Sequence, residues 1–102
     1  MSTKPKITVI IPTYNQEKYI GRCLRSLLDQ SLERNNYEII VVDDASKDKT
    51  LYALNLFKED IKIILNKKNM GLPYSINKGI TSAKGRYIVR VDSDDYVNKE
   101  FL

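Results

Sequence analysis

The chain has 102 residues, 42% hydrophobic and 29% charged, which fits one small domain and excludes a large multidomain enzyme or a long repeat array. Its 17 basic and 13 acidic residues leave a formal charge of +4, too small a surplus to predict nucleic-acid binding by itself. There is no histidine and a single cysteine, which excludes histidine chemistry and an intrachain disulfide and reads as compatible with a reducing compartment.

Met1 to Lys6 is polar and basic, and the apolar run behind it is shorter than the core of a secretory leader, about 7–15 residues. No apolar stretch approaches the ~20 residues that cross a bilayer. A cytoplasmic chain is expected, with any membrane association coming from parts of a longer protein. The first strand is predicted at Ile7 to Ile11, stopped by Pro12. Tyr19, Ile20, Cys23, Leu24, Leu27 and Leu28 then recur at three and four, the stripe of an amphipathic helix that places Cys23 in the core. A second strand follows at Tyr37 to Val42, nearly continuous in apolar residues, as suits a parallel strand covered on both faces. Leu51, Leu54 and Phe57 predict a short helix, capped by Ser46 or Asp48. The third strand is predicted at Ile61 to Leu65, stopped by Asn66. Pro73 suits the first turn of a third helix, with Ile76, Ile80 and Ala83 as its buried side, Gly79 as a weak point and Gly85 as its stop. The fourth strand is predicted at Arg86 to Val91. Tyr19, Tyr37 and Tyr87 fall inside these elements and are expected to pack.

Strands alternating with helices predict an α/β domain with a parallel sheet, in the order βαβαβαβ. The chain ends just after a strand and a charged loop, so it is expected to be the first part of something longer. An unpaired sheet edge is then expected to be exposed, a route to homo-oligomers.

Five of the eight aspartates fall in two clusters, Asp43-Asp44 and Asp92, Asp94 and Asp95. Each cluster lies at the carboxyl end of a predicted strand, as does Pro12-Thr13-Tyr14-Asn15. In open α/β sheets, ligands bind on that edge, where strand order reverses. Close carboxylates raise one another's pKa unless a cation neutralises them. With no histidine and no cysteine expected nearby, the ligands are hard oxygens, which favours Mg²⁺ or Mn²⁺ over Zn²⁺. Helix caps and turns are the alternative role for such aspartates. A calcium loop starting at Asp92 would need glycine where Val97 stands. The four glycines build neither GxxxxGK nor GxGxxG.

Three stretches in order, ITVIIPTYNQEKYIGRCLRSLLDQS, YEIIVVDDASKDKT and NKKNMGLPYSINKGITSAKGRYIVRVDSDD, together cover nearly the whole chain. The set resembles the N-terminal, nucleotide-sugar-binding half of the family 2 glycosyltransferases. The resemblance implies a Rossmann-like parallel sheet of the GT-A type, truncated, with residues 1–102 as the donor-binding portion of one domain and the acceptor part absent. It implies transfer of a sugar from a nucleotide-diphosphate sugar, with a uridine diphosphate sugar expected, to the hydroxyl of a saccharide, lipid or protein, as in polysaccharide or cell-envelope synthesis. Nucleic acid is not an expected partner. Pro12, Thr13 and Tyr14 would cradle base and ribose, and Asp44 would accept the uracil N3–H. Asp43 would fix its loop. Asp92-Ser93-Asp94 looks like the family's DxD motif: Asp92 would reach ribose or a metal-bound water, and Asp94 would hold Mg²⁺ or Mn²⁺ between the phosphates. Asn69 and Gly71 match family positions that double as a helix-entry turn, and Asn77 would reach the donor pocket. Transfer in the family mostly inverts the sugar, with a carboxylate base expected downstream, so the fragment alone is expected to be inactive. A non-catalytic nucleotide-binding module on the same fold is one alternative. A phosphoacceptor receiver domain is another, suggested by VVDD.

Overall fold

The computed structural model describes residues 4–102; residues 1–3 of the polar N-terminal stretch lie outside the described residues. Strands and helices alternate as β1 (Ile7–Thr13), α1 (Ile20–Leu28), β2 (Tyr37–Asp43), α2 (Thr50–Asn55), β3 (Lys62–Leu65), α3 (Leu72–Ser82) and β4 (Tyr87–Arg90), with a 3₁₀ turn at Arg34–Asn36 before β2. The four strands form one sheet in the order β3-β2-β1-β4, and every pairing is parallel. The predicted βαβαβαβ order is the observed one.

β1 and β2 occupy the centre, and their branched side chains are buried on both faces. Val9, Ile11, Ile39 and Val41 pack with Ile20, Cys23, Leu24 and Leu27 of α1 and Leu54 of α2. The alternate residue Ile10 faces α3. Burying each such side chain contributes roughly 1.5–3 kcal/mol. No helix among the described residues is long and apolar enough to cross a membrane.

Pro12 was expected to end the first strand, yet β1 runs on to Thr13. The proline removes one ladder only. The C=O of Ile10 accepts from Val91 N on the β4 side, while that of Thr13 accepts from Asp44 N on the β2 side. By alternation Pro12 faces β4, where its missing N–H cannot continue the ladder beyond Ile10↔Arg90. Pairing with β2 carries on to Thr13↔Asp43. The sheet therefore opens between β1 and β4 at its carboxyl edge.

The third helix buries a different face from the one predicted. Ser75 and Gly79 are its buried residues, while Ile80 is 45% exposed and Ile76 and Ala83 are half-buried. Small size explains this: a Cβ on Gly79 would lie 2.7 Å from Ile10 Cγ2, so the absence of one lets the helix settle onto the sheet. Gly85 is not the helix stop, since Ala83 is the C-cap. It allows a close approach instead: a Cβ there would lie 2.5 Å from the Thr8 backbone nitrogen. Its N–H donates to Thr8 Oγ1 at 2.8 Å, and Lys84 N and Thr8 Oγ1 both donate to Glu38 Oε2 at 2.6 Å. These bonds dock the start of β4 beside β1.

Tyr37 packs as expected and donates its hydroxyl to the Leu27 carbonyl at 2.6 Å. Tyr19 and Tyr87 are 43% and 60% exposed instead. Tyr19 precedes α1 as its N-cap, and Tyr87 lies on the edge strand β4. Leu51 is likewise exposed on α2, which is shorter than its apolar stripe.

Candidate functional site: the cleft between β1 and β4

From β1 the chain builds outward to β2 and β3, then crosses back to place β4 on the other side of β1. Strand order reverses between β1 and β4, the position where α/β sheets bind ligands. A cleft of about 250 Å³ lies there. The segment after β1 contributes Pro12, Thr13, Tyr14 and Gln16, and the end of β2 contributes Asp44. Leu72 and Ser75 come from α3, and Arg90, Asp92, Ser93 and Asp94 from the end of β4.

Pro12, Thr13, Tyr14, Asp44, Asp92 and Asp94, all expected site residues, are thus brought together. Asn77 is not. It lies on an exposed part of α3, where its carbonyl accepts from Thr81 Oγ1 at 2.9 Å and its side chain makes no hydrogen bond among the described residues. Two residues beyond the buried Ser75, it projects from the far side of the helix. Asn69 is exposed too, and Gly71 serves as the helix-entry residue with φ 93°, a conformation that favours glycine.

The β1–α1 and β2–α2 loops are stitched together. Asn15 N donates to Ser46 Oγ at 2.9 Å, Lys47 N to Asn15 Oδ1 at 2.8 Å, and Gln16 N to Thr50 Oγ1 at 2.8 Å. Asn15 and Ala45 adopt left-handed φ values of 52° and 61° to make this junction. Neither cap candidate is the N-cap of α2, which is Lys49: Asp48, one residue earlier, accepts from Thr50 N at 2.9 Å, and Ser46 bonds Asp43 instead.

Asp43 and Asp44 are both buried but serve different loops. Asp43 Oδ2 accepts from Ser46 N at 3.0 Å, fixing its own turn. Asp44 Oδ1 accepts from Asn66 Nδ2 and Met70 N, each at 2.8 Å, and its Oδ2 from Gly71 N at 3.0 Å. Burial pushes the Asp44 carboxyl up, but these donors outweigh it and hold the group below the usual carboxylate range. Asp44 is therefore an anion with acceptor capacity left on Oδ2. Thr13 Oγ1 is buried without a hydrogen-bond partner.

The acidic segment after β4 has the opposite character. Its backbone is tied to α1, with Arg22 Nη2 donating to the Asp94 carbonyl at 3.3 Å and Val97 N to Ser26 Oγ at 3.0 Å. The Arg22 guanidinium also lies 4.7 Å from the Tyr96 ring centre. The carboxylates are exposed, and among the described residues only Asp92 has an ionic partner: its Oδ1 lies 2.9 Å from Arg90 Nη2. Among the described residues no three acidic or thiol side chains gather into a metal cluster. Two hard-oxygen carboxylates on the rim of an open cleft fit Mg²⁺ or Mn²⁺, with the remaining positions left to water and phosphate oxygens. Contrary to the expectation of no cysteine nearby, Cys23 lies beneath this loop with Sγ 3.7 Å from the Asp92 carbonyl, because α1 packs under the end of β4. Burial, with Asp95, Asp94 and Asp92 adding to it, pushes its thiol up to about 12, so it offers no thiolate.

Gln16, Leu72, Ser75 and Arg90 line the cleft without having been picked out from the sequence. Arg90 carried a usable signal, a cation at the carboxyl end of a strand two residues before an acidic motif. Ser75 carried none, because its place depends on how α3 docks.

Comparison with known proteins supports the same reading. The profile of Glycosyl transferase family 2 matches residues 8–102. A poly(ribitol-phosphate) beta-glucosyltransferase of Bacillus spizizenii is 46% identical over 95% of this chain and 16% of its own length. The poly(ribitol-phosphate) beta-N-acetylglucosaminyltransferase TarS of Staphylococcus aureus is 41% identical over 95% of this chain and 18% of its own length. The chain spans less than a fifth of either curated relative. The crystal structure of S. aureus TarS 1-349 in complex with UDP-GlcNAc aligns with a TM-score of 0.87 and 40% identity, over 92% of this chain and 28% of that one. The mannosyltransferase PcManGT of Pyrobaculum calidifontis, in complex with GDP-Man and Mn²⁺, aligns with a TM-score of 0.81 and 31% identity over 93% of this chain and 29% of that one. These matches set aside the receiver-domain alternative. The chain belongs to glycosyl transferase family 2, and its sheet is that of the GT-A glycosyltransferases.

Proposed function

We propose that residues 1–102 form the donor and metal-binding portion of a glycosyltransferase that moves a sugar from a uridine diphosphate sugar to an acceptor hydroxyl. The observation that carries this reading is the convergence of Pro12-Thr13-Tyr14, Asp44 and Asp92-Ser93-Asp94 on one cleft where strand order reverses. The UDP-GlcNAc complex of TarS supports the donor class, and the Mn²⁺ of the mannosyltransferase supports the metal. The names of both poly(ribitol-phosphate) transferases favour a polyol-phosphate polymer of the cell envelope as acceptor.

In this reading Tyr14 lies against the base and Asp44 accepts its N–H. Arg90, adjacent to Asp92, lies where it can exchange that carboxylate for a phosphate oxygen. Asp94, with Asp92, holds the divalent cation, whose charge stabilises the diphosphate leaving group as the bond to the sugar breaks. The carboxylates are needed for the cation; alone they would repel the phosphates. No residue of this chain is assigned as the base that would deprotonate the acceptor with inversion at the sugar.

Calorimetric titration of UDP-GlcNAc into the chain, with Mn²⁺ and then with EDTA, tests the reading. Binding is expected with Mn²⁺ and is expected to weaken at least about tenfold in EDTA or in Asp94→Ala, the loss of one strong charge-assisted contact. Equal affinity with and without metal would refute the metal role, and absence of binding under both conditions would refute the donor site.

A further inference from the structure

The floor of the cleft contains a hydrogen-bond relay that the donor reading does not use. The Asn66 side-chain nitrogen donates to Asp44 Oδ1 at 2.8 Å and to Ser75 Oγ at 3.0 Å. Both partners line the cleft, whereas Asn66, 8% exposed, does not and faces a neighbouring pocket instead. The orientation of its amide is not free. Reversed, it would set Oδ1 against the Asp44 carboxylate, two acceptors face to face. The anion therefore dictates that the NH₂ faces both Asp44 and Ser75, even though this leaves Asn66 Oδ1 buried without a partner. The cost of that unmade buried bond marks an orientation enforced by the neighbours.

The consequence falls on Ser75. Its oxygen already accepts from Asn66, its hydroxyl donates to no acceptor among the described residues, and the residue is 1% exposed. The cleft is the direction left for the O–H. The floor then presents an acceptor-only group, Asp44, beside a hydroxyl donor, Ser75. Thr13 Oγ1, buried and unpartnered, lines the same cleft.

We propose that Asn66 is a positioning residue that sets this acceptor–donor order, and that the order selects a nucleobase edge carrying an N–H next to a C=O. Uracil has that pair at N3–H and its neighbouring carbonyl, and guanine has the same pair. Cytosine has it reversed: its ring N3 would face a carboxylate with no proton to offer, and its amino group would face a hydroxyl whose proton points outward. Rejection follows from leaving buried polar groups unpaired, a stronger discriminator than shape. The inference rests on the donor reading above and extends it from a bound nucleotide to the choice of base.

Titration of UDP and CDP, each with Mn²⁺, into the wild-type chain, Ser75→Ala and Asn66→Ala tests it, with a melting curve for each variant to confirm folding. Wild type is expected to prefer UDP. Ser75→Ala is expected to weaken UDP about tenfold, the loss of one hydrogen bond, while leaving CDP unchanged, so that the UDP-to-CDP ratio collapses. Asn66→Ala should lower the same ratio although it touches no ligand, a result that general loosening of the fold would not give. A wild type that binds UDP, with both ratios preserved in the variants, would overturn the relay and leave the donor site standing. A wild type that binds neither nucleotide would overturn both.

Discussion

Two acidic clusters face one cleft, and they are built in opposite ways. The pair after β2 is buried and supplied with donors by the fold: Asp43 holds its own turn, and Asp44 accepts from two backbone N–H groups and a side-chain amide, with capacity left on Oδ2. The cluster after β4 is exposed, with Arg90 as the single ionic partner of Asp92. The first is a preformed surface whose charge is stabilised by the fold itself. The second is held in place by its backbone, while its carboxylates keep their capacity for an incoming cation. Identical residue types thus divide according to whether the fold supplies their donors: Asp44 is held as a preformed anion, while the β4 carboxylates stay open to a cation.

Removing a carboxylate should therefore have opposite consequences on the two sides. The largest expected effect is Asp44→Ala, which strands three donors beneath the cleft. A loss of about 3 kcal/mol in stability is expected by urea unfolding without any ligand. Next comes Gly79→Ala, whose Cβ would lie 2.7 Å from Ile10 Cγ2. Lifting α3 should cost about 1–3 kcal/mol and should also weaken UDP binding, because that helix carries Ser75.

Acid should destabilise the fold through the β2 side. The Asp44 carboxyl is held below its unfolded value, and so is that of Asp48, burial again being outweighed by donors, here Thr50 and Glu17. Their contribution to stability is complete above about pH 4, the unfolded value, and is lost as pH falls through the lower folded values. Melting curves from about pH 5 to pH 2 should fall more steeply for wild type than for Asp44→Asn. The smallest effect is expected for Arg90→Ala. Its ion pair is roughly half exposed on both sides, so stability should change by less than about 0.5 kcal/mol, while affinity for a diphosphate should fall.

Much of this division was legible in the sequence, and its limits have physical causes. The β-branched runs placed all four strands, and the aspartates at their ends marked the ligand edge, because strand direction fixes which ends share that edge. Pro12 misled, since a proline looks like a stop when it blocks one ladder of a strand that has two. Ile76 and Ile80 misled for a similar reason: periodicity weighs side-chain size, whereas α3 docks through Gly79, which has none. Asn77 was placed in the pocket by family resemblance, but docking through Ser75 and Gly79 turns it outward. Asn66 and Ser75 lie nine residues apart and meet only in the folded chain.

The most direct test of the division is the melting temperature of wild type and Asp94→Ala, each without ligand and with UDP plus Mn²⁺. The two proteins should melt together without ligand. Wild type should rise when UDP and Mn²⁺ are added, and Asp94→Ala should rise distinctly less, as expected for a weaker ligand of the folded state. A lower ligand-free melting point for Asp94→Ala, or an undiminished rise on adding UDP and Mn²⁺, would contradict the assignment of the β4 carboxylates to the ligand.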